Sequence, residues 1–169
     1  MTTYMYTTSV PVFKQLLNSL SAILTKAEAL STEKKFEPTV LLDARLFPDM
    51  FPLIRQVQIA TDFAKSVSAR LAGVDVPVYD DNEQSFTELR GRIGKTLSFI
   101  ESLTPEQFEG SETREIVLRP GTPKEKKMVG HTYLSNYGLP QFFFHVTTAY
   151  AILRHNGLEV GKGDFMGAY

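Results

Sequence analysis

Between Met50 and Leu71 the apolar residues Met50, Leu53, Val57, Ala60, Ala64, Val67 and Leu71 recur in alternating steps of three and four. On a helix of 3.6 residues per turn that spacing draws one unbroken apolar seam, which another helix has to cover. Three further segments carry seams of the same kind. Phe13, Leu16, Leu20, Ile23, Ala27 and Leu30 form one, and Phe86, Leu89, Ile93, Leu97, Ile100 and Leu103 another. In Leu139–Gly157, Phe142, Val146, Ala149, Tyr150 and Leu153 share one arc, with Gln141, His145, Thr148 and Ile152 as an adjoining strip. Four amphipathic helices, each needing cover, predict an all-α fold, an antiparallel four-helix bundle in one domain across residues 1–169.

The helix ends are signalled chemically. Ser9-Val10-Pro11 opens the first helix, Pro48-Asp49 the second and Ser85 with Glu88, or equally Asn82, the third, while Pro140 suits the first turn of the fourth. Gly73, Thr104-Pro105 and Asn156-Gly157 close the second, third and fourth. Ser31–Leu46 reads as a connector with one short helical turn, packed on the bundle by Leu41, Leu42 and Leu46. Val74–Asn82 reads as an ordinary linker. Gly91 and Gly94 suit a close backbone approach. Glu112–Leu118 and Lys126–Leu134 flank Arg119-Pro120-Gly121-Thr122-Pro123, which predicts a small β-hairpin between helices three and four. It leans on the helices through Ile116, Leu118, Val129 and Tyr133, and His131 falls in its second strand. Phe165 is the one obvious anchor of the glycine-rich tail.

Charge excludes some partners. Eighteen basic residues against nineteen acidic ones leave a net charge of −1 with no like-charged block, so neither nucleic acid nor an anionic membrane is an expected partner. The cluster Lys124, Lys126, Lys127 is interrupted by Glu125 and reads as a solvated turn. The absence of cysteine rules out disulfides, thiolate zinc sites and cysteine nucleophiles. No window approaches the ~20 apolar residues of a membrane span. The uncharged first thirteen residues lack a signal peptide's basic start and apolar run. A cytoplasmic protein is the expectation.

Catalytic motifs are few. Gly157 and Gly161-Lys162-Gly163 miss the phosphate-loop spacing and trail a helix, and no nucleophile elbow supports a Ser-His-Asp triad. His145 is the one histidine inside a core pattern, and a structural hydrogen bond, a pocket contact and a metal ligand are all open to it. Its neighbours one turn away are Gln141 and Ala149, and a neutral amide is a weak ligand for transition metals. Asp49, Gln56 and Phe63 fall beside the second helix's seam, whereas Arg55, Asp62 and Lys65 fall well away from it. Gln56 is thus expected to look inward.

The segments LFPDMFPLIRQVQIATD, ARLAGVDVP, LPQFFFHVTTAYAILRHNG and GKGDF together resemble a bacterial domain-of-unknown-function family of the DinB/YfiT-like superfamily, across essentially the whole chain. The resemblance implies an up-down-down-up four-helix bundle, often a homodimer, similar to metal-dependent hydrolases and thiol transferases. In such relatives nickel or zinc is held by one histidine on helix two and an H-x-x-x-H pair on helix four. Those positions fall near Gln56 and on Gln141 and His145, so two of the three places carry an amide instead. The expected site is a polar pocket for a small molecule between helices two and four, formed by Gln56, Gln141 and His145, with no cofactor. The alternatives are a nickel or zinc hydrolase or transferase with a degenerate site, in which His145 is the sole metal candidate, and a non-catalytic dimeric interaction protein.

Overall fold

The computed structural model describes residues 4–169. The chain is mostly helical, with one small two-stranded sheet. In order it runs α1 (Tyr4–Thr7), α2 (Val10–Lys34), α3 (Thr39–Leu42), α4 (Leu53–Ala72), α5 (Phe86–Glu101), a 3₁₀ turn (Pro105–Phe108), β1 (Glu115–Leu118) and β2 (Lys126–Val129). There follow α6 (Gly130–Thr132), a π-helical turn (Tyr133–Gly138), α7 (Leu139–His155) and α8 (Lys162–Met166). Among the described residues none of the helices is long and apolar enough to cross a membrane.

The four apolar seams become the four long helices α2, α4, α5 and α7, and their buried side chains join one core. The most extensive packing is α4 on α7, followed by α4 on α5 and α2 on α5. Phe13 of α2 meets Phe142 of α7 edge to face, with ring centres 4.8 Å apart. The π turn comes close to α4 at Gly138, where a Cβ atom would lie 2.7 Å from Val67 Cγ2. A side chain there would push the start of α7 off α4.

Several boundaries differ from the sequence expectation. The second long helix begins at Leu53 rather than at Pro48-Asp49. Pro52 is extended at ψ 167° as its N-cap, and a proline disfavours helical backbone in the residue before it. The first runs on to Lys34, because Lys35 takes a left-handed turn at φ 57° and ends it where no glycine marks the stop. Strand β2 ends at Val129, and the chain coils at once into α6 and the π turn, so His131 and Tyr133 are helical and not in the strand. Leu41 and Leu42 are buried as expected, but Leu46 is 40% exposed. A Cβ at Gly91 or Gly94 would meet nothing within 4 Å, so neither serves a close approach. The tail is anchored by Leu158 and Val160 as well as by Phe165, and α8 packs on α2 with a Lys26–Asp164 ion pair at 2.6 Å.

Strands β1 and β2 pair antiparallel, with Ile116 opposite Met128 and Leu118 opposite Lys126. Ile116 and Leu118 are buried, while Val129 is about half exposed at 48%.

The linker after α4 is held by a buried arginine. Arg92 of α5 donates from Nε to Thr61 Oγ1 (2.7 Å), from Nη1 to the Asp80 carbonyl (2.9 Å) and Glu83 (3.1 Å), and from Nη2 to Asp62 (2.8 Å) and Asp81 (3.0 Å). Every guanidinium nitrogen is satisfied, which is what permits its burial. Lys65, expected well away from the seam, is buried in the same cluster, paired with Asp62 at 2.7 Å and set 4.0 Å from the centre of the Tyr79 ring. Replacement of Arg92 by Met leaves Glu83 facing an apolar stem, while Asp62 and Asp81 keep solvent access at 38% and 39% side-chain exposure. Arg92→Met should therefore cost about 3 kcal/mol, the low end for removing one partner of a buried ion pair, in a urea melt. An unchanged midpoint contradicts the anchoring role.

Candidate functional site

The site starts with a carbonyl that has no helical partner. Because Pro52 is extended, the Phe51 carbonyl lies outside the α4 hydrogen-bond ladder, and the Gln56 side chain reaches back to it, donating from Nε2 at 3.0 Å. That contact turns Gln56 Oε1 toward α7, where it lies 2.7 Å from His145 Nδ1. An amide oxygen only accepts, so Nδ1 carries the proton and donates it, and the ring's other nitrogen, Nε2, keeps a free lone pair.

Both residues are sheltered, Gln56 at 1% exposure and His145 at 7%. Phe63 of α4 stacks on the imidazole, with ring centres 6.0 Å apart and planes 13° from parallel, and Phe144 meets it edge-on at 5.1 Å. His145 Nε2 has no hydrogen-bond partner among the described residues. It is also absent from the sealed, unpartnered polar atoms found there, which are Ser68 Oγ, Arg90 Nη1 and Ser111 Oγ. The small remaining exposure of the ring is therefore at least partly at this nitrogen.

Burial first, and the Arg55 cation second, push the His145 pKa down from 6.5 to about 4. Arg55 is fixed on the neighbouring position of α4 by Asp81 (2.6 Å) and Gln58 Oε1 (2.7 Å). At neutral pH the ring is thus an uncharged base or acceptor, not an imidazolium.

Gln141 stands apart from this pair. It is half-buried, makes no hydrogen bond among the described residues, and lines two shallow depressions of about 180 and 280 Å³. The smaller is shared with Tyr137 and the hairpin and the larger with Tyr137 and Phe144, and neither is lined by Gln56 or His145. Tyr137, which meets Phe63 edge-on at 5.8 Å, joins these depressions to the aromatic wall around His145. It was not singled out from the sequence, because its place depends on the π turn. Asp49 precedes α4, and His131 and His155 are exposed.

The donor set does not fit a three-histidine metal centre. Among the described residues there is no group of three or more His, Cys, Asp and Glu side chains placed to hold an ion. The Gln56 oxygen already accepts from His145, which leaves one imidazole nitrogen.

The shifted pKa makes stability depend on pH. Above pH 6.5 the ring is neutral in both the folded and unfolded chain. Below it the unfolded chain takes up a proton that folded His145 refuses until about pH 4, so stability falls across that window. The loss should approach roughly 3 kcal/mol. Urea melts at several pH values check this: His145→Gln should lose that part of the pH slope, and equal slopes in the two proteins contradict it.

Comparison with known proteins agrees with this architecture. Residues 5–166 match the family described as a domain of unknown function, DUF1993. The chain is 43% identical to a DinB family member protein of known crystal structure from Shewanella denitrificans, with a TM-score of 0.91 over 97% of this chain and 92% of that one. No curated protein matches it significantly. The chain belongs to the DUF1993 family, a DinB-like family of unknown function.

Proposed function

We propose that this chain is a single-domain antiparallel four-helix bundle that binds a small molecule at the α4–α7 interface, with His145 as the group that orients it. The observation that supports this reading is the Gln56–His145 hydrogen bond, which leaves a neutral imidazole with an unshared Nε2 lone pair beside an aromatic wall. Such a nitrogen accepts a hydrogen bond from a ligand O–H or N–H, and polar groups of this kind fix a ligand's orientation in an otherwise apolar cleft. Gln141, half-buried and with no side-chain hydrogen bond among the described residues, supplies a second polar contact at the rim.

No nickel or zinc is assigned to the site in this reading, since one imidazole and two neutral amides supply only one ligand of a usual type. Stoichiometric nickel or zinc in the purified protein would favour the hydrolase or thiol transferase alternative. The exposed Phe143 and Phe144 on α7 support a homodimer, and a dimer without any ligand would favour the interaction-protein alternative.

The test is a ligand-observed NMR screen of small heteroaromatic and hydroxylated compounds against the protein and its His145→Ala variant, with circular dichroism confirming that the variant folds. Compounds that bind the protein should lose about tenfold or more in affinity for the variant, as expected for loss of a hydrogen bond worth about 1.5 kcal/mol. Hits that bind the variant equally well, or no hits at all, overturn the reading.

A further inference from the structure

The hairpin sorts its charges. Within β2 successive side chains face opposite sides, so Lys126 and Lys127 diverge, while Lys124 and Glu125 lie in the turn that leads into the strand. Glu125 is occupied there: it accepts from the Gly121 backbone N–H at 2.7 Å and lies 3.9 Å from Lys127. Lys124 and Lys126 instead line the 180 Å³ depression, together with Arg119, and none of the three has an ion-pair partner among the described residues. The lining of the depression contains no carboxylate.

Two more features point the same way. Arg119 is held at φ 51°, a left-handed conformation that favours glycine, and the turn is fastened through its carbonyl by the Thr122 N–H (3.3 Å) and hydroxyl (2.9 Å). The turn that carries this cation is thereby held in one conformation. Tyr137 and Gln141 line the same depression, and their hydroxyl and amide make no hydrogen bonds among the described residues and can both donate.

We propose that Arg119, Lys124 and Lys126, with Tyr137 and Gln141, form a binding subsite for a phosphate-type anionic group. Three uncompensated cations and two neutral donors lining one depression match the several acceptor oxygens of such a group. Tyr137 and Gln141 also line the adjoining 280 Å³ depression with Phe144, whose ring lies edge-on to His145. A ligand seated here by its anionic end extends its other end along that path toward His145. The subsite rests on the small-molecule reading only for that far end.

The experiment is an ¹⁵N-correlation NMR titration with inorganic pyrophosphate at constant ionic strength. Amides of the non-proline residues from Arg119 to Lys126, with those of Tyr137 and Gln141, should shift saturably. A Lys124→Glu/Lys126→Glu double variant should weaken binding by about tenfold or more. Lys127→Glu, on the other side of β2 from Lys126, should bind within about twofold of the unaltered protein, because it removes no phosphate contact. Shifts that never saturate, or equal weakening by Lys127→Glu and by the double variant, overturn the subsite in favour of diffuse charge attraction. Loss of binding in His145→Ala with the hairpin variants unaffected places the anion at His145 and also overturns it. The compound screen against His145→Ala reads the other end of the ligand, so the two proposals fail separately.

Discussion

Helix α4 is enclosed on nearly every side, by α7, α5 and the segments that cross its ends, and the rest of the structure depends on how its polar residues are matched. Besides its apolar seam it buries Gln56, Gln58, Thr61, Lys65 and Ser68. A buried polar group without a partner costs about 1–3 kcal/mol, so a helix carrying several can be stable only if its neighbours answer them. Toward α5 the answer is Arg92, which engages Thr61 directly and draws Asp62, Asp81 and Glu83 around itself. Toward α7 the answer is His145, which engages Gln56. Ser68 Oγ is the group on α4 left without a partner among the described residues.

The two polar clusters are joined. Asp81 contacts both Arg92 and Arg55, at 3.0 and 2.6 Å, and Arg55 is the charge that adds to burial in lowering the His145 pKa. The linker between α4 and α5 therefore does more than connect them. By holding Asp81 in place it fixes Arg55, and through Arg55 it bears on the protonation of a residue on α7. The same carboxylate partly neutralises Arg55 and limits its effect on the ring, consistent with burial being the larger cause.

The helices were legible in the sequence because their apolar spacing is a local property, and so were the Ser85 cap, whose side chain accepts from the Glu88 N–H at 3.1 Å, and the inward-facing Gln56 and His145. The start of α4 was misread since Pro48-Asp49 and Pro52 both look like helix openers, and only the extended backbone at Pro52 decides between them. Lys65 and Arg92 were not legible as buried residues. Their burial depends on carboxylates brought in by a linker distant in sequence, which a helical wheel cannot represent. Lys124, Lys126 and Lys127 were legible as a cluster interrupted by Glu125, and only the Gly121 contact shows that the acid is engaged within the turn. Gln141 lies on the same helical strip as His145, and the depressions it lines are shared with Tyr137 and the hairpin, elements whose placement helical spacing does not represent.

The chemistry of the α4–α7 interface depends on the protonation state of one ring. A long-range ¹H–¹⁵N correlation spectrum of the imidazole nitrogens at neutral pH measures it directly. The structure requires His145 to be neutral, with Nδ1 protonated and Nε2 bare, and Gln56→Leu to weaken that preference by removing the acceptor. An imidazolium at neutral pH, or a ring protonated at Nε2 alone, contradicts it.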